Sequence, residues 1–138
     1  ATLQQMIKQS HGAGRIRLAG AVEAAERDRL YTEASIFALA TRYEGYGIVF
    51  NEALAQGLPI VTCRTGAVPD TVPPEAGLLV PVEDPDAFAL ALRRMLEQPS
   101  LRRQMAEAAC SAGAALPSWG DTARRAEAVL SACVETAP

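Results

Sequence analysis

Apolar residues recur along this chain in two rhythms. Short apolar-rich runs occupy residues 16–20, 36–40, 59–63 and 77–80, and elsewhere the apolar positions fall three and four apart. A brief run bounded by turn formers predicts a strand. Residues 36–40 and 59–63, continuous in apolar character, predict strands covered on both faces. The wider spacing predicts helices with one buried stripe. Leu3, Met6 and Ile7 share one face of a first helix that ends in the turn-forming stretch His11, Gly12, Ala13, Gly14. Residues 23–33 form a second, with Leu30 and Tyr31 facing inward. Residues 48–56 form a third, with Val49, Phe50, Ala53 and Leu54 at helical spacing, stopped by Gly57 with Pro59 just beyond.

The carboxyl-terminal part reads as helical throughout. Asp84 is placed to cap a helix with Pro85 at its first position, where proline gives up no needed donor. Ala87, Leu90, Ala91, Leu92 and Met95 give that helix its apolar face. Ser100 is expected to cap the next. Ser118 with Asp121 three residues later resembles a capping box for the last, with Trp119 as its packing anchor. Strands alternating with helices imply an α/β fold, a Rossmann-like parallel sheet flanked by helices. Ligands of such sheets bind beyond the carboxyl ends of the strands.

Composition narrows the function classes. With 138 residues the chain amounts to about one domain. The net charge of 13 − 16 = −3 carries no basic block or basic aromatic stripe, which argues against nucleic acid. No apolar run approaches the roughly 20 residues that span a bilayer, and residues 1–8 lack a signal-peptide pattern. Three distant cysteines, Cys63, Cys110 and Cys133, and a single histidine, His11, offer neither a disulfide framework nor a zinc set. The expectation is a reduced, cytoplasmic protein with no metal and no cofactor. Ala1 is not an initiator methionine, so the chain reads as processed or as cut from something longer.

The stretch from Glu44 to Glu52 carries the chemistry. Two carboxylates are separated by seven residues, with Gly45 and Gly47 between them and a helix beginning near Gly47. The preceding strand ends near Ala40, so Glu44 lies on the loop where ligands are expected. The amides around Gly45, Tyr46 and Gly47 open a helix, a natural anion site, and the glycines let backbone approach a phosphate or sugar closely. Glu52 lies about five residues into the helix, roughly 7–8 Å along its axis. The two carboxylates could therefore bracket a ligand longer than one sugar ring. Carboxylates accept hydrogen bonds from hydroxyls, the usual grip on ribose and hexose.

Residues 41–61 (Thr-Arg-Tyr-Glu-Gly-Tyr-Gly-Ile-Val-Phe-Asn-Glu-Ala-Leu-Ala-Gln-Gly-Leu-Pro-Ile-Val) resemble the donor-site signature of glycosyltransferase family 4, which has the GT-B fold. That signature joins a Glu-x(7)-Glu pair, an aromatic between two glycines, Glu-Ala, a small residue, Gly-x-Pro and an apolar strand. Residues 16–22, 66–70, 77–80 and the helix begun by Asp84 and Pro85 agree in order, so the resemblance covers residues 16–98 well. It is weaker outside them, although Pro117, Ser118 and Trp119 suit the family's tail. The resemblance implies that residues 1–138 are part of the C-terminal, nucleotide-sugar-binding domain of a retaining enzyme, with residues 99–138 as its C-terminal helices. The implied donor is a UDP- or GDP-linked sugar, used in polysaccharide or glycolipid synthesis. Glu44, as the catalytic residue, should meet the transferred sugar near its reacting carbon, and Glu52 the ribose hydroxyls. Gly45, Tyr46, Gly47 and Ile48 should line the sugar and diphosphate, with Gly20 and Val22 near the base.

Two departures bear on this reading. The family often has Gly-Gly-x-Pro-Glu where this chain has Gly66, Ala67, Val68, Pro69 and the shorter Asp70. The family's basic pair for the diphosphate follows its first strand, whereas the only lysine here is Lys8, in another context. The domain is thus expected to lack the family's first two strands, in a sheet ordered third, second, first, fourth, fifth, sixth. The gap would lie between residues 16–18 and 36–40, to be closed by rearrangement or by a partner chain, with self-association through exposed edges. Without the acceptor half the fragment should be inactive. The complete enzyme is expected in the cytoplasm, with the inner face of the membrane as a peripheral site. Plainer readings remain beside these. Glu44 and Glu52 could serve only the helix dipole, and Arg42 and Arg64 could be ordinary surface arginines. The whole could be a non-catalytic binding or assembly module, or a sugar-nucleotide epimerase.

Overall fold

A computed structural model describes residues 2–135, and the side chains of residues 2–133. The chain divides into two units, residues 1–30 and 31–138, with the boundary inside a helix. Elements follow in the order α1 (Leu3–Gln9), a 3-10 turn (Ala13–Arg15), α2 (Ala24–Glu33), β1 (Phe37–Leu39), α3 (Ile48–Ala55), β2 (Ile60–Cys63), α4 (Val68–Thr71), β3 (Gly77–Val80), α5 (Pro85–Glu97), α6 (Pro99–Ala114) and α7 (Trp119–Glu135).

In the first unit α1 is closed by a reciprocal capping box between Thr2 and Gln5. Leu3 and Met6, expected on a packed face, are exposed. Residues 16–20 are not a strand. Ile16 has extended backbone, but these residues join no ladder, and Ile16 and Leu18 stay 47% and 46% exposed. A strand needs a hydrogen-bonded neighbour, and extended dihedrals alone do not supply one. Glu26 instead organises this unit's surface, accepting hydrogen bonds from Arg29 at 2.8 Å and Arg17 at 3.1 Å. The bond from Arg29 contributes most; desolvation opposes it, and with the bond from Arg17 and the charges of both arginines the net effect draws the Glu26 carboxyl down to about 2.

The second unit is built on a three-stranded parallel sheet in the order β1-β2-β3, with helices on both faces. All four residues of β2 are buried, because it is the central strand and both faces are covered. Ile60 joins Phe50, Ala53, Leu54, Val68, Val72 and Ala109 on one face, and Val61 joins Ala91, Met95 and Met105 on the other. β1 differs from its expected form. Phe37 and Leu39 pack on the α3 face, but Ala38 is exposed. Ala38 pairs with Val61 and so faces the α5 side, where α5 packs mainly on β2 and β3. No strand rearranges to close the anticipated gap. The sheet is continuous from β1 to β3, and among the described residues the outer side of β1 has no ladder partner.

Helix ends follow their local chemistry with one exception. α3 ends in a Schellman arrangement, the amides of Gly57 and Leu58 donating to the carbonyls of Leu54 and Ala53 at 2.9 Å. Asp84 caps α5 by accepting from the amide of Ala87 at 2.8 Å. Ser118 and Asp121 form the box that opens α7. The exception is α6, which starts at Pro99 rather than after Ser100, because the fixed φ of proline begins the helix two residues earlier. Two apolar assignments also fail: Leu90 is 64% exposed, and Trp119 is 90% exposed and anchors nothing. α3 and α6 approach closely at Gly113, where a side chain would strike the backbone of Leu54.

Candidate functional site

The loop between β1 and α3, residues 40–47, stands at the carboxyl end of the sheet. Its position is fixed through its own carbonyl groups. The hydroxyl of Thr65 donates to the carbonyl of Arg42 at 3.1 Å, the amide of Ala67 to that of Glu44 at 3.0 Å, and the hydroxyl of Thr71 to that of Tyr46 at 3.1 Å. The segment after β2, together with α4, therefore serves as a template for this loop. The template depends on Gly66, whose φ of +50° is left-handed and whose missing side chain leaves room for the backbone of Glu44.

Gly47 begins α3 with φ +83°, and a side chain there would come within 2.7 Å of the Phe50 ring. Its amide donates to Oε1 of Glu44 at 3.1 Å, so the half-buried Glu44 carboxylate sits at the positive end of α3. The first turn of α3 contains no acidic residue of its own. Gly45 is exposed, as are Tyr46 and Ile48, at 64% and 63%. Glu52 follows Ile48 by one helical turn on the same side of α3 and is half-buried. Its Oε2 accepts a hydrogen bond from the hydroxyl of Tyr31 at 3.2 Å.

Tyr31 is the site residue that sequence reasoning assigned only to packing. Its ring stacks on Phe37 with centroids 5.8 Å apart and planes 11° from parallel, and Phe37 meets Phe50 edge-on at 5.9 Å. The available signal was a phenol at an inward-facing position, since a buried tyrosine hydroxyl usually finds a partner.

Gly20, with φ +69°, and the partly exposed Val22 belong to the first unit. Asp70 lies in the first turn of α4 and is exposed. Arg42 pairs with Glu83 at 3.3 Å, both side chains being largely exposed. Two cavities of about 480 Å³ occur in the second unit. One, beside β3 and α5, is lined by Arg64, Leu79, Leu90 and Arg94; the other, at the ends of β1 and β2, by Thr41, Arg42, Cys63 and Phe88. Neither includes Glu44 or Glu52 in its wall.

Together the parts make a surface with donors at a helix start, one carboxylate at that start and a second one turn beyond Ile48, and exposed Tyr46 and Ile48 beside them. Such a surface can accept from and donate to a polyhydroxylated, anionic ligand.

Residues 1–111 match the family model described as glycosyl transferases group 1. A D-inositol 3-phosphate glycosyltransferase of Corynebacterium diphtheriae is 32% identical over 133 residues, 94% of this chain and 31% of that protein. A GDP-mannose-dependent monoacylated alpha-(1-6)-phosphatidylinositol monomannoside mannosyltransferase of Corynebacterium glutamicum is 32% identical over 111 residues, 75% of this chain and 29% of that protein. The chain thus spans less than a third of the length of these curated relatives. Among solved structures, sucrose-phosphate synthase from Thermosynechococcus elongatus superposes with a TM-score of 0.86 at 26% identity, covering 98% of this chain and 34% of that one. The C-terminal domain of a glycosyl transferase group 1 family protein from Francisella tularensis shares the fold, with a TM-score of 0.68 at 24% identity over 80% of this chain and 57% of that one. The architecture is that of a GT-B glycosyltransferase C-terminal domain.

Proposed function

The chain belongs to the group 1 glycosyl transferases, and from that premise we propose that it is the donor-binding part of a longer, retaining enzyme that uses a nucleotide-diphosphate sugar. The observation that carries this is the pairing of Glu44, held at the start of α3, with Glu52 further along the same helix. Glu44 meets the hydroxyls of the transferred sugar beside the breaking bond. Glu52 accepts from the ribose hydroxyls. The amides that open α3, with Gly45, Tyr46 and Ile48, face the sugar and diphosphate.

The departing diphosphate carries the charge that develops in the transition state, and fixed donors aimed at it lower the barrier. The donor is UDP- or GDP-linked. The name of the mannosyltransferase relative supports a GDP-linked sugar for that protein, and the acceptor is chosen by a second domain. Residues 1–138 form the donor domain, with residues 99–138 as its C-terminal helices, and this piece alone is inactive. No helix among the described residues is long and apolar enough to cross a membrane; the enzyme works in the cytoplasm or against the membrane's inner face.

The test is steady-state kinetics of the complete enzyme. Glu44→Ala lowers kcat by about 10²–10³-fold, as expected for removing a transition-state contact. Glu52→Ala raises the donor KM about tenfold and changes kcat little, as for loss of a ground-state hydrogen bond. Near-normal kinetics in both variants would remove these roles.

A further inference from the structure

Glu52 and Phe50 ride on the same helix, and Tyr31 is tied to both. The phenol donates to Glu52 at 3.2 Å, its ring stacks on Phe37, and Phe37 contacts the fully buried Phe50 edge-on. The path closes on itself: carboxylate, phenol, two phenylalanine rings and back along α3. We propose that Tyr31 is a positioning residue that orients the Glu52 carboxylate for a vicinal diol, the ribose of the nucleotide. This rests on the reading that Glu52 holds that ribose.

The chemistry requires such a device. A glutamate side chain has three rotatable bonds, and fixing it on binding costs rotamer freedom. A hydrogen bond from a braced donor selects one orientation before the ligand arrives, which removes that cost from the binding step. A carboxylate has roughly four acceptor positions, so a bond from a phenol is compatible with bonds from the hydroxyls of a diol. Tyr31 suits the task because its ring, stacked on Phe37, braces the hydroxyl without calling on the hydroxyl itself. Removing the oxygen leaves the brace in place, so positioning can be separated from packing.

The experiment compares wild type and Tyr31→Phe in the complete enzyme by titration calorimetry. The ligands are UDP or GDP, whichever the wild type binds, and the corresponding 2′,3′-dideoxynucleoside diphosphate. Wild type prefers the ribonucleotide. Tyr31→Phe reduces that preference about five- to tenfold, the loss expected for one hydrogen bond, and leaves affinity for the dideoxy form and the melting temperature unchanged. In Glu52→Gln the preference is already gone, and adding Tyr31→Phe changes nothing more. A Tyr31→Phe variant that keeps the full preference, or that weakens both ligands equally, overturns the proposal while the ribose reading stands. A wild type indifferent to the ribose hydroxyls overturns the ribose reading itself, and the role of Tyr31 with it.

Discussion

Residues 16–22 and residues 37–47 have the same design on paper, an apolar stretch that runs into a glycine-bearing turn. In the structure they part company. Residues 37–39 pair with β2, and the loop after them hangs by its carbonyls from Thr65, Ala67 and Thr71. Residues 16–20 join no ladder, and their apolar side chains remain half in water. The difference lies in the neighbours rather than in the residues. An extended segment becomes a strand when adjacent backbone receives its amides and carbonyls, and a ligand loop becomes a defined surface when other segments fix its course.

Truncating each region's apolar side chains should expose this contrast most sharply. Phe50 is fully buried beneath Gly47 and against Phe37, so Phe50→Ala should cost about 3–5 kcal/mol in urea unfolding. Leu18→Ala, at a half-exposed site, should cost about 0.5 kcal/mol or less. Equal costs would mean that residues 16–20 are packed as tightly as the core.

A smaller effect is expected where the loop meets its template. Gly66→Ala places a side chain in left-handed backbone and against the Glu44 backbone, which should destabilise by about 1–3 kcal/mol. It should also perturb the amide resonances of residues 42–47 in NMR spectra more than those of β3. Unshifted loop resonances would show that the template does not hold the loop.

The smallest effect concerns the first unit, where Glu26 makes surface ion pairs with Arg17 and Arg29. The carboxyl of Glu26 is lowered from 4.5 to about 2, so its contribution is fully present above pH 4.5 and is lost as pH falls toward 2. A carboxylate titration by NMR should show a midpoint near 2 for Glu26, and Arg29→Ala should move it back toward 4.5. An ordinary midpoint in the wild type would dissolve the Arg17–Glu26–Arg29 cluster.

What could be read from the residues follows the same division between local and distant causes. β2 and β3, the Gly57 end of α3 and the Asp84 cap of α5 depend on adjacent residues, and their places in the sequence were enough to find them. Ala38, Leu90 and Trp119 failed because their surroundings depend on which helix covers which strand. An apolar side chain carries no mark of that. Ser100 failed for a nearer reason, the proline beside it. The site shows the same split. Glu44, Gly47 and Glu52 stand out as one motif, whereas Tyr31 reaches Glu52 across 21 positions of chain, and only the fold reveals that bond.

A crystal structure of the complete enzyme with a nucleotide-diphosphate sugar decides most directly whether Glu44 and Glu52 serve one ligand. The Glu44 carboxylate should lie within hydrogen-bond distance of a sugar hydroxyl and that of Glu52 within the same distance of the ribose, with the diphosphate against the start of α3. A donor bound elsewhere, in the cavity beside β3 for example, with both carboxylates bare, would contradict it.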